Sequence, residues 1–98
     1  MAIITLTTDL GSKDFYQAAL KGSILNILPT ANIVDITHDV PSFNISYAAF
    51  VLKYAYSYFP KNTVHLIGID SVFSERTKYI ALRYQDHYFV GAGNGIFS

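Results

Sequence analysis

The chain has 98 residues, with seven basic and seven acidic side chains, three histidines, no cysteine, and 51% hydrophobic and 15% aromatic content. That length holds one domain; the balanced, scattered charge leaves no basic stripe for nucleic acid, and the lack of cysteine excludes disulfides and thiolate metal sites. The apolar content is high for so small a domain, which has much surface to cover, so a partner on an apolar face or a longer native chain is expected.

Ile3 to Thr7 reads as a strand whose near-continuous apolar character suits a parallel sheet covered on both faces. It stops at Thr7-Thr8-Asp9-Leu10-Gly11, after which a helix is expected, capped by Ser12 and carrying Asp14 in its first turn, where an acid complements the helix dipole. Tyr16, Leu20, Ile24, Ile27 and Leu28 recur at helical spacing and define its inward face. Asn32 to Thr37 is the second strand, ending at His38-Asp39. A second helix is expected from Asn44 to about Tyr58, capped by Ser42 or Asn44, with Ile45, Ala48, Ala49, Leu52, Ala55 and Tyr56 inward. Thr63 to Ile69 is the third strand, with Asp70 at its carboxyl end. Tyr79–Tyr84 and His87–Val90 flank Gln85-Asp86 as a hairpin. The plan is α/β: β-α-β-α-β then a β-hairpin, with the first three strands parallel through right-handed crossovers.

Ligands of open α/β sheets bind beyond the carboxyl ends of the strands, where Asp9 and Asp70 fall and Thr37-His38-Asp39 follows the second strand. Carboxylates there suit three tasks, gripping a ribose diol, holding a metal or acting as a base, and acids at such ends also cap turns. Asp70 and Arg76 bracket one loop, where a charge-assisted pair orients a water or closes the loop. His65, inside an apolar strand, reads as a core histidine with one hydrogen bond, and His87 at the hairpin as exposed. His38 is the better site histidine, although no nearby nucleophile or metal partner is evident and no spacing matches a metal motif. Gly91-Ala92-Gly93-Asn94-Gly95 lacks the spacing and place of a dinucleotide loop. The rings at 43, 47, 50, 54, 56, 58 and 59 are core or interface, and Phe43 is placed to line a pocket.

Met1-Ala2-Ile3-Ile4 lacks the basic start and long apolar core of a signal peptide, and Val40–Leu52 is too short to span a bilayer. A soluble, cytoplasmic protein without a membrane partner is expected.

Taken in order, Ile4-Thr5-Leu6-Thr7-Thr8-Asp9-Leu10-Gly11 with Asp14, Lys21-Gly22, Ile33-Val34-Asp35-Ile36-Thr37-His38, Asn44-Ile45 with Ala48-Ala49, Phe59-Pro60 with Thr63-Val64-His65, and Asn94-Gly95 resemble the S-adenosyl-L-methionine hydroxide adenosyltransferases, relatives of the fluorinase and chlorinase. The resemblance covers essentially the whole chain and implies a truncated three-layer, Rossmann-like N-terminal domain over 1–98, roughly the first third of such a protein, without the β-rich C-terminal domain. It implies hydrolysis of S-adenosyl-L-methionine at the ribose C5′ to adenosine and methionine, with no cofactor, in a homotrimer whose sites lie between neighbouring subunits. Asp9 then binds the ribose hydroxyls, Asp14 and Tyr16 lie near the methionine portion, and Phe43 and Asn94 complete the substrate contacts. Asp70 and Arg76 match two members of a water-orienting Asp–Arg–His set whose histidine has no counterpart through Ser98, so these 98 residues alone are expected to be inactive. The Asp70–Arg76 loop is one residue shorter than the family pattern and lacks its glycines, and the family's P-D-N-G is here Ala92-Gly93-Asn94-Gly95. A halogenase, and a non-catalytic nucleoside-binding or oligomer-forming module, are the rival readings.

Overall fold

Ile3, Ile4, Thr5, Thr7 and Thr8 are all β-branched, a residue type that favours the pleated backbone, and they form β1 (Ile3–Thr8), an interior strand of the sheet. The computed structural model describes residues 2–11, 15–41, 44–69 and 79–92. After β1 come α1 (Tyr16–Ile27), β2 (Asn32–Thr37), α2 (Ile45–Ala55) with a short 3-10 turn at Tyr56–Tyr58, β3 (Val64–Gly68), β4 (Tyr79–Tyr84) and β5 (His87–Ala92). The strands lie in the order β2-β1-β3-β5-β4. All neighbours are parallel except β4 and β5. This is the expected α/β plan, and the sequence-derived strands fall within a residue or two of the observed ones. The hairpin turns at Gln85 and Asp86 with φ of 51° and 63°, the two positive values of a type I′ turn that matches strand twist.

Side chains alternate across a strand, and the registers of Thr5 with His65 and of His65 with Phe89 place these three on one face. That face carries the core: Val40, Ala48, Leu52, Ile67, Ile69 and Phe89, with Ile36, Ile45, Ala49 and Tyr56 packed around them. The expected inward face of α2 is therefore the observed one. Asn44 caps it, its side-chain oxygen accepting from Tyr47 N–H at 2.9 Å. Asn44→Ala is expected to cost about 1 kcal/mol by chemical denaturation; an unchanged midpoint would show the cap to be dispensable.

The opposite face is thinner. Leu6 is fully buried there, but Leu66 and Val90 are only half-buried. No residue of α1 is buried. Tyr16 is 52% and Ile27 86% exposed while Leu20 and Ile24 are half-buried, so the inward face expected for this helix is only partly covered by the described chain. The start also differs from expectation: the helix begins at Tyr16, with Phe15 in the N-cap position making no side-chain capping bond and no acid in the first turn. Ser12 and Asp14 lie outside the described residues.

Two of the three buried imidazoles, His65 and His87, sit on the core face. His65 has two hydrogen-bond partners where one was expected, Thr5 Oγ1 at 2.6 Å from Nδ1 and His87 Nδ1 at 3.0 Å from Nε2. His87, expected to be exposed, is buried, because Tyr56 lies edge-on to it with ring centroids 5.1 Å apart. The aromatic excess outside this cluster faces out: Tyr47, Phe50, Tyr54 and Tyr58 are all exposed. Among the described residues no helix is long and apolar enough to cross a membrane.

Candidate functional site

The chain crosses the sheet in one direction from β1 to β2 and in the other from β2 to β3, so the carboxyl ends of β1 and β3 flank a topological switch point. Asp9 follows β1 directly at this rim and is half-buried. Its backbone N–H donates to Gly68 O at 3.4 Å, tying the turn to the end of β3. Val40 N–H donates to Thr8 O at 3.2 Å, and Gly11 N–H to His38 O at 2.7 Å, tying it to the segment after β2. Gln17 Nε2 donates to Gly11 O. Gly11 has φ of +73° and open space where a Cβ would stand, so the glycine serves the backbone conformation, which L side chains rarely adopt. The turn carrying Asp9 is thus anchored on both sides and at its far end.

Beneath the rim runs a line of polar side chains. Thr8 Oγ1 lies 2.5 Å from His38 Nδ1, and His38 Nε2 lies 2.8 Å from Asp35 Oδ1. Asp35 Oδ2 accepts from Lys21 Nζ of α1 at 2.7 Å. Burial alone would raise the Asp35 carboxyl, but the hydrogen bonds from Lys21 and His38, with the charge of Lys21, outweigh it and hold the group below its usual value. His38, the histidine singled out in the sequence, is buried and has both ring nitrogens engaged. The sequence reading found no partner for it; its partners come from β1 and from three residues back in β2.

That juxtaposition depends on an irregularity in β2. Leu6 pairs with Asp35 and Thr7 with Thr37, so Ile36 is an extra residue between them. Residues three apart in a regular strand point to opposite faces; the bulge resets the alternation and puts His38 on the side of Asp35 and Thr8. On the other side of β1, Thr7 Oγ1 is a buried hydroxyl with no hydrogen-bond partner among the described residues.

Of the site residues taken from the sequence, Asp9 stands at the rim and Tyr16 stands where the turn enters α1, stacked on Phe15 with ring centroids 4.9 Å apart. Asp14, Phe43, Asp70, Arg76 and Asn94 lie outside the described residues. Ile69, the last described residue before Asp70, is buried in the core beside the rim.

Residues 4–98 match the model of the SAM hydroxide adenosyltransferase N-terminal domain. The chain is 46% identical over 101 residues to the (R)-S-adenosyl-L-methionine hydrolase of Methanocaldococcus jannaschii, covering 98% of this chain and 38% of that protein. It is 37% identical over 93 residues to the enzyme of the same name from Salinispora tropica, covering 95% of this chain and 35% of that one. A fluorinase from Actinoplanes sp. is 31% identical over 81 residues, 83% of this chain and 27% of the relative. Among solved structures, an uncharacterized conserved protein from Thermotoga maritima superposes with a TM-score of 0.84 at 40% identity, over 96% of this chain and 36% of that one. The chain therefore spans between about a quarter and two fifths of the length of these relatives.

Proposed function

The chain belongs to the SAM hydroxide adenosyltransferase family, and on that footing we propose that the protein at its native length hydrolyses S-adenosyl-L-methionine to adenosine and L-methionine. Water attacks the ribose C5′, the C5′–S bond breaks with its electron pair going to sulfur, and the attacking water loses one proton. The sulfonium leaves as a neutral thioether, so no acid is needed at the leaving group. The work of the site is alignment of a nucleophile behind the C5′–S bond, which is catalysis by positioning.

The observation that carries this reading is the anchored turn at the β1–β3 switch point, which presents Asp9 on a fixed backbone. A carboxylate there accepts hydrogen bonds from both hydroxyls of a ribose, and such charge-assisted bonds have strict geometry. Asp14 and Tyr16 are assigned to the methionine portion, Phe43 and Asn94 to further substrate contacts, and Asp70 with Arg76 to orienting the water. The hydrolase names of the relatives from Methanocaldococcus jannaschii and Salinispora tropica support water as the nucleophile. Sites shared between subunits of a homotrimer complete the proposal, resting on the family resemblance.

Incubating the native-length protein with S-adenosyl-L-methionine should release adenosine and methionine in equal amounts, read by chromatography. Absence of adenosine would overturn the proposal, and a halogenated nucleoside formed only with added halide would replace water as the nucleophile.

A further inference from the structure

We propose that Asp35 and His38 are positioning residues that act through Thr8 to hold the Asp9 carboxylate in its ribose-binding direction. The inference rests on the diol role given to Asp9 above, and concerns two residues that touch neither substrate nor water in that reading.

The Thr8 hydroxyl reaches across Asp9. Its oxygen accepts from Leu10 N–H at 3.2 Å, so the side chain of the residue before Asp9 is bonded to the backbone of the residue after it. That local bond fixes the backbone at Asp9, and with it the direction of the carboxylate. A threonine hydroxyl has one proton to donate and rotates to suit its acceptor. With the hydroxyl donating to His38 Nδ1, 2.5 Å away, the ring proton stands on Nε2. Asp35 Oδ1, 2.8 Å away, accepts that proton. The tautomer is assigned from these partners. Every bond in the line is then matched, donor to acceptor: Lys21 donates to Asp35, His38 donates to Asp35, Thr8 donates to His38, and Leu10 donates to Thr8.

The backbone of His38 serves the same turn, since its carbonyl receives Gly11 N–H at 2.7 Å. One residue thus grips the Asp9 turn before and after the aspartate, by its ring at Thr8 and by its carbonyl at Gly11. Its reach depends on the extra residue in β2 at Ile36; bulges recur next to active sites, where they re-aim a side chain. A simple tie between α1 and β2 would need only Lys21 and Asp35, and would not explain a buried imidazole directed at the hydroxyl that spans Asp9.

The test uses the native-length protein and two probes, adenosine and 2′,3′-dideoxyadenosine, with affinities read by calorimetry. The diol contribution is the ratio of the two affinities. Thr8→Val, which keeps the shape and removes the hydroxyl, should shrink that ratio by about two- to tenfold, the range for loss of one supporting hydrogen bond. Thr8→Ser should restore it. In the Asp9→Ala background, Thr8→Val should shrink it no further, since both changes act on the same contact. If the buried Thr8→Val fails to fold, Asp35→Ala, at a position partly open to solvent, should shrink the ratio in the same direction. A loss of stability with the ratio unchanged, or equal weakening of both probes, would overturn the positioning role while Asp9→Ala still erased the diol preference. Retention of the diol preference in Asp9→Ala would instead remove the ribose role itself, and this inference with it.

Discussion

Asp9→Ala is expected to weaken adenosine binding by about 10- to 100-fold, because a hydrogen bond to a charged group contributes about 1.5–3 kcal/mol and each 1.4 kcal/mol is tenfold in affinity. The aspartate stands at the switch point on a turn bonded to Gly68, His38 and Val40, so little rearrangement is available to replace it. Asp9→Asn should fall between the two, keeping one acceptor oxygen and losing the charge. Turnover should fall at least as far as affinity, since alignment of C5′ depends on a held ribose. Unchanged affinity for adenosine by calorimetry would remove Asp9 from the site.

Acidification is expected to destabilise the fold through His65. This imidazole is fully buried against His87, Phe59 and Phe89. Desolvation, with the charge of His87 as a second cause, pushes it down from 6.5 to about 4. The sign follows from proton counts: between pH 6.5 and 4 the unfolded chain has bound a proton at this position that the folded chain has not. Stability is therefore complete above pH 6.5 and falls progressively as the pH drops toward 4, by on the order of 3 kcal/mol at 1.36 kcal/mol per unit. Among the described residues the groups facing His65 are the Thr5 hydroxyl and the rings of Tyr56, Phe59, His87 and Phe89, and none of them is a carboxylate that would stabilise a charged imidazole. Two protonated rings would also set N–H against N–H across the 3.0 Å His65–His87 contact. The check is the His65 imidazole resonance by NMR, which should titrate with a midpoint near 4; a midpoint near 6.5 would refute the burial argument.

The two buried histidine systems lie on opposite faces of β1 and serve different ends. Thr5 and His65 share the core face, where their bonds satisfy polar groups within the apolar layer under α2. Thr8 and His38 share the other face, immediately under the rim. Period-two alternation alone accounts for this division, since Thr5 and Thr8 differ by an odd number of positions.

The apolar excess of the composition also finds its place. Phe15, Tyr16 and Ile27 around α1, Phe50 and Tyr54 on α2, and Ile80, Leu82 and Tyr84 along β4 are exposed in this chain. Exposed apolar surface on this scale marks interaction faces. It agrees with a family whose members are more than twice this length.

What local chemistry governs was legible in the order of the residues. β-branched runs placed the strands, Asn44 capped α2, Gln85-Asp86 turned the hairpin, and the break after Thr8 put Asp9 at a strand end. These follow from periodicity and turn residues within a few positions of one another. Three features arise only from the packing of distant segments in the folded chain. That packing inserted Ile36 as an extra residue in β2 and so brought His38 to Thr8 and Asp35, where strict alternation would set Asp35 and His38 on opposite faces. It buried His87 beneath Tyr56, 31 positions earlier in the chain, although a hairpin end reads as exposed. Among the described residues it left the apolar face of α1 only partly covered. The physical reason is common to all three: register and cover are set by what pairs and packs from distant segments, and a shift of one residue in a strand exchanges its faces.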